Sequence, residues 1–558
     1  MDMVNSVAEA DGLRPPDEVM RLNRMGAAFP TRLSFMRSLI RRMAQEKWTF
    51  DRVVWDLDAS GYGRAVWSIR MPSGTVSFAA FSNILAAEER TDRVIAEKWD
   101  ASFVLVEGEI DAADLARLEQ NVPRQEAGRL SAKELVLSRA NKSVRLFDAV
   151  VDALAAGRQP DIRDILKVGY LMRTTAVYGN GKFGLGDFPL AQAHPELDGP
   201  YRAEMLCVYM IRHFECELAE HVARARGSAK AVRLDPTIRR AFGIGNATGL
   251  GMAPFLIRHP ILIHHWIAAK ETALASVLAV EAASPEDEAR YRRLLARARA
   301  HVAEWNVEEP RQQERIEVLR SELSELAVTP LSHSFPWQAL YRLTKEKFSL
   351  ETQELVAALL IELYPERVDW LAENMSASEP ERIDGRQSVG SFLDVIERDY
   401  HWALGIDYDD PEQRKYFWYY SEAKEEPRLG QRFAEPGAER EMRLGVGHMV
   451  KQLHAALKDV PRDQAIATFL LKHPEWRLAV RRIETTRRFP YAEIRDNTIG
   501  ANLLPIDLLR CKLAFFGATK FDPKSDLWTR ITMFQGAPLI DELQNPDSDD
   551  WWLPAWLS

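Results

Sequence analysis

Only three cysteines occur in 558 residues: Cys207, Cys216 and Cys511. The number is odd and no two form a CxxC pair. A disulfide framework or a cysteine-rich zinc site is therefore not expected, and a reducing compartment is. Basic charge is also scarce, with 73 Lys and Arg against 82 Asp and Glu and a net charge of −9. A general nucleic-acid binder needs a net basic face, so no nucleic-acid partner is expected. No apolar run approaches the ~20 residues of a membrane span. The first residues, MDMVNSVAEADGLRPPDE, lack the basic and apolar regions of a secretory signal. No membrane span and a cytoplasmic location are the expectations. The motifs GxSxG, GxxxxGK[ST] and HExxH are missing as well, so the sequence assigns no reaction class.

What is present suits a large helical protein. Apolar residues make up 46% of the chain, enough to bury a sizeable core. Residues 51–58, 64–71 and 75–81 are short β-rich runs separated by Ser60-Gly61-Tyr62-Gly63 and Pro72-Ser73-Gly74, and residues 102–110 give a fourth run. This is hairpin punctuation. From Asp111 onward the spacing reads as helical. The expected fold is mainly α with a small N-terminal antiparallel sheet (α+β overall), a multi-helix body and a projecting helical hairpin.

The expected divisions are an N-terminal arm and helix (1–50), the sheet (51–112), a helical domain with Gly-rich loops (113–284), a hairpin arm (285–330), a second helical domain (331–480) and a C-terminal segment with a Trp-rich tail (481–558). The arm carries Ile316, Leu319, Leu323 and Leu326 at seam spacing, and the tail carries Trp551, Trp552 and Trp556. Each buries its apolar side either on the body or in a homo-oligomer. The basic amphipathic stretch Arg32 to Met43 is read as a docked surface helix, with an anionic membrane surface as the alternative.

Four constellations bear on chemistry. In the first, a helix ends at Gly179 and runs into Gly179-Asn180-Gly181-Lys182-Phe183-Gly184. Successive amides there can cradle an anion, with Arg173 and Lys182 adding charge and Asp187 able to move a proton. A helix cap followed by a turn is the plain alternative. In the second, Gly243 to Gly251 (GIGNATGLG) offers Asn246 and Thr248 as N-caps of a helix whose amides face a ligand, followed by Arg258 and by His264 as acid or base. The alternative is a tight interhelical turn. The sequence shows no strand ahead of either segment, which sets both apart from a dinucleotide-binding fingerprint.

In the third, His213, Glu217 and His221 line one helix face. The two histidines lie ~12 Å apart along the axis, too far to share one metal. A neighbouring pair could join ligands from other helices in a metalloenzyme, and a structural His–Glu–His ladder is the alternative. The fourth is Arg495 to Asn502, with Asn497, as a third wall. The reading that follows is an enzyme binding a small anionic metabolite or a phosphate-bearing cofactor between Gly/Asn-rich loops. A metalloenzyme or a non-catalytic scaffold stands as the alternative. No particular cofactor follows from the sequence.

Overall fold

Alternating apolar residues and two tight turns build the first hairpins. Strand β1 (Thr49–Leu57) pairs with β2 (Gly63–Met71), and β2 with β3 (Gly74–Ser82), both antiparallel. In this computed structural model the residues described are 12–85, 99–124, 131, 133–179, 194–249, 259–305, 307–375, 382–410, 418–421, 426–429, 441–444, 446–495, 505–518, 520–525, 528–544 and 551–557.

The sheet does not stop at the N-terminal strands, and this overturns the expected fold class. It continues through β4 (Ala101–Glu107), β5 (Glu134–Lys142), β6 (Tyr170–Gly179) and β7 (Gly243–Gly249). Three short strands, β8 (Trp418–Ser421), β9 (Glu426–Leu429) and β10 (Glu441–Leu444), form a separate sheet. The last two, β11 (Lys520–Ser525) and β12 (Trp528–Met533), return to the main sheet. Its order is β1-β2-β3-β4-β5-β6-β7-β12-β11, nine strands drawn from widely separated parts of the chain. All neighbours are antiparallel except β6 and β7, which are parallel.

The physical reason for the difference lies at Gly169. The sequence Asp161 to Val177 reads as one helix, but the helix runs only from Ile162 to Val168. Gly169 then adopts φ +87° and its N–H donates to the Ile165 carbonyl. A left-handed C-cap ends the helix there, and β6 begins at the next residue. A parallel neighbour then requires a crossover. The helix Arg202–Gly227 supplies it, so β6, this helix and β7 form a β-α-β unit.

The crossover helix packs on one face of the sheet. Phe214 meets Trp67 and Phe103 edge-on, at centroid distances of 6.1 and 5.7 Å. Arg212 ties the helix to the rest of the chain by donating to the carbonyls of Phe242, Ala537 and Pro538. The opposite face is covered in part by the helix Ala112–Asn121. Its Leu115 and Leu118 bury against Phe81, Val104, Val106 and Leu137.

The helical body is held by buried ion clusters. Arg14 donates to both oxygens of Glu271 at 2.7 Å and to Glu354 and Tyr341, while Arg24 and Lys270 also reach Glu354. The segment from residue 12 is therefore an anchor. The basic helix Phe35–Gln45 is docked: Arg37 pairs with Glu362, and Arg32 with Glu362 and Asp369.

The hairpin of Pro285–Ala303 and Pro310–Val328 does not project. Ile316, Leu319, Leu323 and Leu326 are all fully buried, and the second arm packs on the helix Leu350–Ile361. The Trp-rich tail docks on the same region. Arg297 and His301 bond the Leu553 and Pro554 carbonyls, Trp552 is 1% exposed, and the Arg37 guanidinium lies 4.9 Å from its ring. Both apolar surfaces are thus turned to the body.

Candidate polar site on the central sheet

The β-α-β unit brings two of the sequence-selected segments together in a form the sequence does not announce. Arg173 lies in β6 opposite Gly245 of β7, and Thr174 opposite Asn246. Both segments are strands, so neither Asn246 nor Thr248 caps a helix. Their backbones pair with Ile531 and Thr529 of β12. Arg173 is the fourth residue of β6 and Gly245 the third of β7, so the paired positions lie toward the amino ends of both strands.

Register assigns the side chains near Arg173 to faces. Arg173 is opposite Asn141, Arg139 is opposite Ser102, and Leu137 is opposite Val104. Successive side chains alternate across a strand. Ser102, Arg139, Asn141 and Arg173 therefore share the face that carries Val104 and Leu137, away from the crossover helix. Thr174 takes the other face and bonds Ser138 at 3.2 Å.

The patch is polar and buried. Ser102 is 0%, Asn141 4%, Arg173 6% and Trp99 7% exposed. Asn141 Oδ1 accepts from the Asp100 N–H at 2.9 Å, which fixes the amide orientation and turns Nδ2 elsewhere. Asn141 Nδ2, Ser102 Oγ and Trp99 Nε1 have no hydrogen-bond partner. An unmet buried polar atom costs about 1–3 kcal/mol. Three of them beside two arginines make a face rich in donors. The Arg139 guanidinium sits 4.3 Å from the Trp99 ring, a cation–π contact that orients it. The fully buried Asp100 carboxylate, two residues before Ser102, accepts the Lys142 N–H and brings an acceptor to the same patch.

A bulge shapes the same place. Between Tyr170↔Gly243 and Arg173↔Gly245, β6 spends three residues where β7 spends two. Glu215 of the crossover helix accepts the Met172 N–H at 2.5 Å. Burial raises its carboxyl well above the ordinary range, more than the Met172 and Leu171 amides and Arg212 lower it. A Cβ at Gly245 would lie 2.4 Å from the Tyr170 ring, so only glycine fits there.

The other sequence-selected residues lie elsewhere. His264 sits in a nest of Phe489, Tyr491 and His265, and its Nδ1 accepts the Tyr491 N–H at 3.2 Å. Burial, then His265, holds its pKa down at about 3, so the ring stays neutral with its basic nitrogen engaged. Asn180, Lys182, Asp187, Arg258 and Asn497 fall outside the described residues. Arg495, at the head of the fourth constellation, pairs with Asp399 and donates its N–H to the Met20 carbonyl in the helical body.

His213, Glu217 and His221 form a clamp. His213 bonds Glu217 at 3.0 Å, and Arg52 of β1 bonds the other Glu217 oxygen at 2.9 Å. His221 Nδ1 accepts from Trp55 and its Nε2 donates to the Asp58 carbonyl. Every ring nitrogen of His221 is thereby used to hold the first hairpin on the crossover helix. Burial opposes charge on Glu217, but His213, Arg52 and Arg239 outweigh it and hold the carboxyl at about 2. Among the described residues no group of three His, Cys, Asp or Glu side chains is placed to hold a metal. The three cysteines are free and buried, with Cys216 and Cys511 pushed up by burial to about 12.

Sequence reasoning missed Trp99, Ser102, Arg139 and Asn141. Polar residues at alternate positions of an otherwise apolar strand, Ser102 ahead of Val104 and Val106, were the available signal. Among the described residues no helix is long and apolar enough to cross a membrane. Set against family models, curated proteins and solved structures, the chain matches none, so its functional reading rests on this geometry.

Proposed function

We propose that the protein binds a small oxyanion-bearing molecule on the polar face around Arg173, as the ligand of an enzyme whose substrate or cofactor carries a carboxylate or phosphate. The supporting observation is the set of three buried, unpartnered groups, Trp99 Nε1, Ser102 Oγ and Asn141 Nδ2, on or against the strands that carry Arg139 and Arg173. A bound oxyanion would accept from all three and remove their desolvation cost.

The test is a thermal-shift series with phosphate, pyrophosphate, citrate and acetate at constant ionic strength. A ligand that binds only the folded form raises the melting temperature with concentration. At least one of these anions is expected to do so for the natural chain, and Arg173→Ala is expected to weaken it roughly tenfold or more. An unchanged response in Arg173→Ala, or no response to any anion in the natural chain, defeats the proposal.

A further inference from the structure

The register of β6 against β7 decides which backbone stands beside Arg173, and that register is not regular. Across the bulge from Tyr170 to Arg173, β6 carries one residue more than β7. Met172, Arg173 and Thr174 pair in unbroken register with Lys142, Asn141 and Ala140 of β5, so the bulge shifts β6 only against β7 and sets which residue of β7 stands beside Arg173.

A bulge has a cost: backbone N–H groups drop out of the ladder inside the protein. Here a side chain from outside the sheet meets it. Glu215 is fully buried on the crossover helix, and its carboxyl accepts the Met172 N–H through Oε2, with the Leu171 N–H also contributing. Its other oxygen, Oε1, has no hydrogen-bond partner. The group therefore behaves as one acceptor facing two amides, with an idle second oxygen. The amide of glutamine has the same shape and the same acceptor.

We infer that Glu215 is a positioning residue: by capping the amides freed at Leu171 and Met172, it stabilises the bulge that sets Arg173 against Gly245 of β7. Gly245 and Tyr170 complete the lock, because the Tyr170 ring occupies the space a side chain on Gly245 would need. The functional half of this inference rests on the anion-binding reading; the structural half rests on the fold alone.

The experiment uses the full chain as Glu215→Gln and Glu215→Ala. Hydrogen exchange by mass spectrometry is followed in a peptide spanning residues 170–174, and citrate and phosphate are titrated by thermal shift. Glu215→Gln should exchange like the natural chain and keep its anion response. Glu215→Ala should exchange faster by roughly tenfold or more in that peptide, because two buried amides lose their acceptor, and its anion affinity should fall by a similar factor. Unchanged exchange in Glu215→Ala overturns the inference, as does equal disturbance in both variants, which would mark packing in place of hydrogen bonding. Faster exchange with undiminished anion affinity overturns the positioning of Arg173. Faster exchange in Glu215→Ala, with no anion response even in the natural chain, supports the capping role and overturns the anion-binding reading.

Discussion

Two buried polar regions differ in how far their polar groups are met within the chain. In the helical body, Glu354 is met by Arg14, Arg24 and Lys270, and Arg14 in turn by Glu271 and Tyr341. Burial disfavours its charge, but Arg14 and Lys270 more than compensate and hold the carboxyl well below the ordinary range. On the sheet, Trp99, Ser102 and Asn141 are as well buried and leave groups unmet. Charges that satisfy one another hold helices together. The groups left unmet on the sheet are those on which the anion-binding proposal rests.

Removing one partner from each region should therefore give opposite results. Glu354→Ala strands three cations in the body and is expected to cost about 3–5 kcal/mol in denaturant unfolding. Any anion response that remains should be unchanged in affinity. A loss below about 1 kcal/mol would mean that the cluster is far less closed to water than its burial indicates.

Acid probes the paired regions next. Glu217 titrates at about 2 in the folded chain against an ordinary 4.5. Its contribution is complete above pH 4.5 and is lost as pH falls from 4.5 toward 2, on the order of 3 kcal/mol. His264 acts in the same direction over a wider window. The unfolded chain takes a proton near pH 6.5, which the folded chain refuses until about 3. Stability should fall between those values. Replacing Glu217 with Gln should flatten the lower part of a stability–pH curve, and His264→Gln the upper part. Curves parallel to that of the natural chain would show that these groups are not the source.

The sheet face should respond with the opposite sign. Ser102→Ala removes an unmet hydroxyl and leaves the volume nearly filled. Unfolding should show no loss, or a gain of up to ~1 kcal/mol, while the anion-dependent rise in melting temperature shrinks. A clear loss of stability would place Ser102 with the architectural groups. The smallest effect concerns the cysteines. Burial keeps all three protonated, so thiol reagents should leave the native chain unmodified and label it only after denaturation.

What could be read from the sequence follows how locally each element is determined. The first three strands are visible because their alternation and their turns lie within a few residues. The seam of Ile316, Leu319, Leu323 and Leu326 is visible because helical spacing is local, and the tryptophans of the tail because they are costly in water. Strand β7 is different. Gly243 to Gly249 contains three glycines, an asparagine and an alanine, poor strand formers in isolation, against one isoleucine and one threonine. It is a strand because β6 and β12 flank it, about 70 residues upstream and 280 downstream. The same holds for the polar face. Its members come from β4, β5 and β6, and only the register shows that they meet. Arg173 was singled out for the glycines that follow it, and Gly169, the residue that ends the helix before it, went unread.

The place of β12 carries a consequence for synthesis. Strand β7 is complete once residue 249 has been made, but the strand that covers its outer edge is not made until residues 528–533. Throughout that interval a nascent chain on the ribosome carries an open strand edge, the kind of surface on which neighbouring polypeptides aggregate. The low β propensity of the glycines and asparagine in β7 makes that edge a poor template until its own partner arrives.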